Sequence, residues 1–126
     1  MNRMRQEISR AALAPAILKN DAAEQRYRFG EDFIGFAGHF PGYPILPAIL
    51  QTLLAQQLAE QLAGRPLEFQ GLGKAKFSRQ LRPGEEVCVK VVFSDRGEQV
   101  RCAAELACAG EPAAAFTLLL SEGAPE

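Results

Sequence analysis

The one histidine of the chain, His39, lies in the loop Phe36-Ala37-Gly38-His39-Phe40-Pro41-Gly42-Tyr43-Pro44-Ile45-Leu46-Pro47. Pro41, Pro44 and Pro47 fix their own φ and restrict the residue before each of them, so the loop is expected to hold one shape. Gly38 and Gly42 let the backbone approach a ligand closely or turn tightly. An apolar helical pattern begins directly after the loop, and Pro47 is expected at its first helical position, where a missing N–H costs nothing. An imidazole is thereby delivered beside the positive end of a helix. That arrangement suits a substrate carbonyl that gains negative charge during reaction. A lone histidine that simply holds a Pro-rich turn together is the structural alternative.

Ala48 to Ala63 reads as the only long helix, with Ile49, Leu50, Leu53, Leu54, Leu58 and Leu62 separated by alanines and a few polar residues. A helix apolar around so much of its circumference must be covered on several sides. Gly64 is expected to close it in the left-handed conformation. The cover comes from strands. Ala22 to Phe29 alternates with a period of two, placing Ala23, Gln25, Tyr27 and Phe29 on one face. Leu67 to Phe77 is a long strand bent or bulged at Gly71 and Gly73. Val87, Val89, Val91 and Phe93 form one face of the next, and Asp95-Arg96-Gly97 signals a hairpin. Val100, Cys102, Ala104, Leu106 and Cys108 face inward from the following strand, and Ala113 to Leu120 is the last. Before the first long strand, Ala11 to Ala14 favours helix until Pro15, and a short strand is expected at Ala16 to Lys19. Ser121 to Glu126 reads as a frayed tail. One buried helix inside consecutive antiparallel strands is an α+β layout, the curled sheet of a hotdog fold.

The 126 residues amount to one domain, 1–126, short enough that a second copy adding core is expected. A net charge of −1 gives no reason to expect nucleic acid as a partner. Cys88, Cys102 and Cys108 are odd in number and read as free thiols, and the absence of a Cys/His cluster argues against a zinc site. No run of eighteen apolar residues suggests a membrane span, and no signal core follows the basic start Met1 to Glu7, so the cytoplasm is the expected compartment.

Gly38-His39-Phe40-Pro41-Gly42-Tyr43-Pro44-Ile45-Leu46-Pro47-Ala48 resembles the G-H-F-P-G-x-P-I-M-P-G signature of the (3R)-hydroxyacyl-[acyl-carrier-protein] dehydratases, which are hotdog enzymes of fatty-acid synthesis. Lys76-Phe77-Ser78-Arg79-Gln80-Leu81-Arg82-Pro83-Gly84-Glu85 is similar to that family's R-F-x-R-P-V-x-P-G-D stretch. Pro44-Ile45-Leu46-Pro47-Ala48-Ile49-Leu50-Gln51 resembles the dehydratase-like proteins of aryl-polyene clusters.

The resemblance implies that His39 takes the proton α to a thioester carbonyl, that the N–H of Ala48 polarises that carbonyl, and that water leaves. Gly38, Phe40, Pro41, Gly42, Leu53 and Gln57 would then bind the acyl substrate, with Phe33, Phe36 and Tyr43 crowding the same region. It also implies a substrate carried by acyl carrier protein or coenzyme A, a homodimer or larger assembly of dimers, and neither metal nor organic cofactor. The basic run Lys74, Lys76, Arg79 and Arg82 reads either as a solvated strand face or as a docking surface for an acidic carrier.

One position departs from the pattern. The family's helix glutamate, fourteen positions after the histidine, is Leu53 here. Glu60 lies two turns further, roughly 10 Å along the axis, and cannot replace it in place. Asp32 is the upstream candidate, and Gln51, Gln56 and Gln57 could orient a hydroxyl but are poor proton sources. A dehydratase is therefore weighed against a non-catalytic acyl-binding subunit and a thioesterase on the same fold.

Overall fold

The computed structural model describes residues 3–36 and 44–122, and for 95 and 96 the backbone alone. Its central element is the helix α2, Ala48–Ala63. Leu50, Leu54, Ala55, Leu58 and Ala59 are buried in the core, and Leu53 and Leu62 pack partly against it. Leucine and alanine occupy most of the helix circumference, so the chain must cover it on more than one side. The exception is its first turn, where Ile49 is 76% exposed. Gly64 closes the helix with φ 73°, its N–H bonded to Glu60 O at 2.8 Å. That left-handed conformation favours glycine.

Six strands among the described residues form one antiparallel sheet around α2: β1 (Ile17–Lys19), β2 (Ala22–Arg28), β3 (Leu67–Phe77), β4 (Glu86–Arg96), β5 (Gln99–Cys108) and β6 (Glu111–Glu122). Their order across the sheet is β1-β2-β4-β5-β6-β3. Period-two alternation sends Val87, Val89, Val91 and Phe93 of β4 toward the helix, matched by Val100, Cys102, Ala104 and Leu106 of β5 and by Phe116, Leu118 and Leu120 of β6. Curling a sheet about a helix in this way is the hotdog fold. A shorter helix, α1 (Arg3–Ala11), covers one flank by burying Ile8, with Met4 and Ala11 one turn away on the same side.

Several expectations need correction. The N-terminal helix runs from Arg3 to Ala11 rather than over Ala11 to Ala14, because the Met4–Ile8–Ala11 stripe finds a core to enter. Pro47 is the cap of α2 (φ −69°, ψ 155°) and Ala48 its first helical residue. The Pro47 carbonyl instead accepts the N–H groups of Leu50 and Gln51, at 3.0 and 3.1 Å. The last strand is longer than Ala113 to Leu120. It starts at Glu111 and holds Ser121 and Glu122, which pair with β3 residues Glu68 and Leu67. The bulges expected in β3 are present, as register shifts between Phe69 and Gly71 and between Gly73 and Lys76. All three cysteines are free thiols, Cys102 and Cys108 buried and Cys88 half-buried.

Leu54 is fully buried on the helix face the sheet encloses. Replacing it with alanine leaves a cavity against β-strands that cannot collapse into it. Leu54→Ala is expected to lower stability by about 2–5 kcal/mol, read from urea midpoints at unchanged slope.

Candidate active site

The start of α2 and the end of β3 form the two walls of a cleft of about 300 Å³. Ile45, Leu46, Pro47, Ala48 and Gln51 line one wall, and Phe77, Ser78, Arg79 and Gln80 the other. The walls are tied by the N–H of Leu46, which donates to Leu81 O at 2.8 Å between two buried side chains. The first N–H groups of any α-helix lack intrahelical acceptors, and α2 begins beside this cleft, so its positive end lies there. Chemically, that is a place for an oxygen that carries or gains negative charge.

His39, Gly38, Phe40, Pro41 and Gly42 lie outside the described residues, as does Tyr43. Ala48 lines the cleft. Gln57 does not share it. Nine residues along the helix, it lines a separate polar cleft of about 270 Å³ with Gln25, Tyr27, Glu60 and Gln61. There its Nε2 donates to Arg5 O at 3.3 Å. Leu53 is half-buried against the core. Phe33 and Phe36 are core residues in an aromatic row with Phe29, with centroids 4.5 Å (Phe29–Phe33) and 5.5 Å (Phe33–Phe36) apart. Asp32 is exposed in the turn after β2, away from the cleft lining.

Glu60 has a structural occupation. Its carboxylate pairs with Arg5 and accepts the N–H of Leu67 at 2.9 Å, so one side chain joins α1, the end of α2 and the start of β3. Sequence reasoning had no means of anticipating these partners, which lie 55 and 7 residues away. It also missed that amides enter the core of so apolar a helix. Gln56 donates to Leu67 O at 2.9 Å and Gln51 to Leu46 O at 3.0 Å, both buried. The available signal was an amide at a position where the helix pattern called for an apolar residue.

The basic run divides. Lys74 and Lys76 are exposed on β3, and Lys74 sits at φ 49° within the second bulge. Arg79 is half-buried and engaged inside the chain, with Glu85 at 2.8 Å and Glu111 at 3.7 Å. Arg82 is exposed at a turn whose backbone N–H is accepted by Glu85 at 2.8 Å.

The family model for ApeI-like dehydratases matches residues 16–111. The chain belongs to the ApeI-like dehydratase family. Among curated proteins it is 35% identical over 98 residues to the 3-hydroxyacyl-[acyl-carrier-protein] dehydratase FabZ of Syntrophobacter fumaroxidans, covering 71% of this chain and 67% of that one. The FabZ of Oenococcus oeni is 34% identical over 105 residues, covering 77% and 74%. Among solved structures, the dehydratase heterocomplex ApeI:P from Xenorhabdus doucetiae superposes with a TM-score of 0.73 over 88% of this chain and 96% of that one. At 20% identity that likeness concerns the fold. Within the ApeI-like chain, no helix among the described residues is long and apolar enough to cross a membrane.

The hydrogen bond from Arg79 holds the Glu85 carboxyl below the usual carboxylate range, and the N–H of Arg82 acts in the same direction. A carboxyl depressed in the folded state adds stability above its unfolded pKa of about 4.3, and that contribution disappears as pH falls through the lower folded value. Glu85→Gln is therefore expected to be less stable than the parent near pH 7. The difference should shrink below about pH 4, as followed by urea midpoints across a pH series.

Proposed function

We propose that this chain is a 3-hydroxyacyl-thioester dehydratase-like lyase of fatty-acid or polyene lipid biosynthesis, working in the cytoplasm on substrates carried by acyl carrier protein or coenzyme A. The observation that carries the reading is the cleft at the start of α2, which the His39 motif precedes in sequence, in a chain of the ApeI-like family. His39 takes the proton from the carbon beside the thioester carbonyl. The N–H of Ala48 receives the negative charge that moves onto the carbonyl oxygen. The bond from the third carbon to its hydroxyl then breaks, and the hydroxyl leaves as water with the proton that His39 has taken, because Leu53 has none to give. A neutral imidazole is matched to this task near pH 7. Gly38, Phe40, Pro41, Gly42 and Leu53 bound the acyl group, and the exposed Lys74, Lys76 and Arg82 attract an acidic carrier, whereas Gln57 faces a separate cleft and Arg79 is engaged with Glu85.

Leu53 favours a second reading. With an apolar side chain at the family's acid position, the chain would hold an acyl group without converting it and serve as a subunit beside an active partner. A 3-hydroxyacyl or crotonyl thioester, followed by ultraviolet absorbance, separates the two. Turnover by the parent and a loss of at least about 10²-fold in His39→Ala support the lyase. Turnover unchanged in His39→Ala removes the mechanism, while acyl binding without turnover supports the subunit. Release of free thiol would identify a thioesterase instead. Leu53→Glu is expected to raise the lyase rate, limited by the cost of placing a carboxylate at a half-buried site.

The chain acts as a homodimer in this reading, or as an assembly of such dimers, joined through β3. That strand ends the sheet and exposes Phe69, Leu72 and Phe77 along 11 residues, while the opposite edge strand has 3. An edge of this length with apolar side chains is a template for pairing. Antiparallel pairing of two copies brings Glu68 at one end toward Lys74 and Lys76 at the other. Leu72→Glu is expected to shift the protein from dimer to monomer in sedimentation velocity. A parent that sediments as a monomer at micromolar concentration would remove this interface.

A further inference from the structure

Gln51 is 4% exposed and lines the cleft at the start of α2. Its Nε2 donates to Leu46 O at 3.0 Å, which fixes which end of the amide is oxygen. Its Oε1 is buried and has no hydrogen-bond donor among the described residues. Leaving a buried acceptor unpaired is costly, so a ligand that brings a donor here recovers free energy that a ligand without one does not. Nearby donors are directed elsewhere. Ser78 Oγ donates to Pro112 O at 3.2 Å, and the Arg79 guanidinium serves Glu85 and its neighbour Gln80 O.

Ala48 and Gln51 are three residues apart on one helix, with Cβ atoms roughly 5–6 Å from each other on the same face. A thioester whose carbonyl oxygen rests on the N–H of Ala48 therefore has its third carbon within about one helical turn of Gln51. A 3-hydroxyacyl group carries a donor at that carbon. A saturated or 2-enoyl group does not.

We propose that Gln51 is the residue by which this cleft selects a 3-hydroxyacyl group, its Oε1 accepting the hydrogen bond of the 3-hydroxyl. The inference rests on the thioester reading above. Gln51 is a specificity-determining residue and not the acid of the reaction, because an amide oxygen that accepts the hydroxyl proton gives the departing oxygen nothing. Sites built to hydrogen-bond a substrate hydroxyl reject the analogue lacking it far more strongly than apolar pockets discriminate by size.

The test is calorimetric binding of 3-hydroxybutyryl-pantetheine and butyryl-pantetheine, which needs no turnover. The parent should prefer the hydroxylated ligand by at least about tenfold. Gln51→Met keeps the length and removes the acceptor, so the ratio should fall to about one while butyryl-pantetheine binding stays within about twofold. A residue that served only to hold Leu46 would weaken both ligands together and leave the ratio unchanged, which overturns the proposal. A parent that binds both ligands without preference overturns it as well. If the parent binds neither, the thioester reading itself has failed. Should Gln51→Met not fold, a crystal structure of the parent with 3-hydroxybutyryl-pantetheine decides. A hydroxyl oxygen within about 3.2 Å of Gln51 Oε1 supports the assignment, and a hydroxyl directed elsewhere ends it.

Discussion

Everything in this fold answers to the burial of α2. Sixteen residues carry leucine or alanine on nearly every side, and water tolerates little of that surface. A flat sheet would cover one face. The strands therefore curl, and their inward valines, cysteines, alanines and leucines meet the helix along β2, β4 and β5. The bulges in β3, β4 and β5 fit a sheet that must bend as it wraps. The first turn of the helix is the part left uncovered, with Ile49 and Ala48 exposed.

That uneven burial leaves a cleft at the start of α2. A helix sunk along its whole length would have its terminal N–H groups closed off or satisfied by caps. Here the cap residue is a proline with no side-chain hydrogen bond to offer, so among the described residues no side chain caps the start of α2. The same helix carries Gln51, Gln56 and Gln57 through its buried surface. Gln56 is anchored to β3 and Gln57 to α1, while Gln51 reaches back to the residue before the cap. Amides that bond to backbone carbonyls fix the helix in rotation and along its axis, which apolar contacts alone do poorly.

Much of this was legible beforehand. Strict alternation in β2, β4 and β5 named the inward residues, because side-chain direction in a strand is set by position alone. The helix bounds followed from Pro47 and Gly64, whose backbone preferences are local. The motif around His39 pointed to the family, which the comparisons with ApeI-like and FabZ proteins bear out. The error at the N-terminus had a clear source. A helix of nine residues with one fully buried side chain is marginal by itself, and α1 forms because Ile8 has a core to enter and Arg5 meets Glu60.

The residues by themselves determined which segments are strand or helix, which side chains point inward, and that an imidazole precedes a helix start, since all of these depend on periodicity and on proline and glycine stereochemistry. Tertiary structure alone decided that β3 leaves its sequence neighbour β4 and closes the far edge against β6. It also decided that Glu60 and Arg79 are held by partners within the chain, that Gln57 faces a different cleft from Ala48, and that Gln51 keeps an acceptor in hand. Those outcomes depend on which groups meet across the sheet and helix, and a contact between residues far apart in the chain leaves no local trace in the order of amino acids.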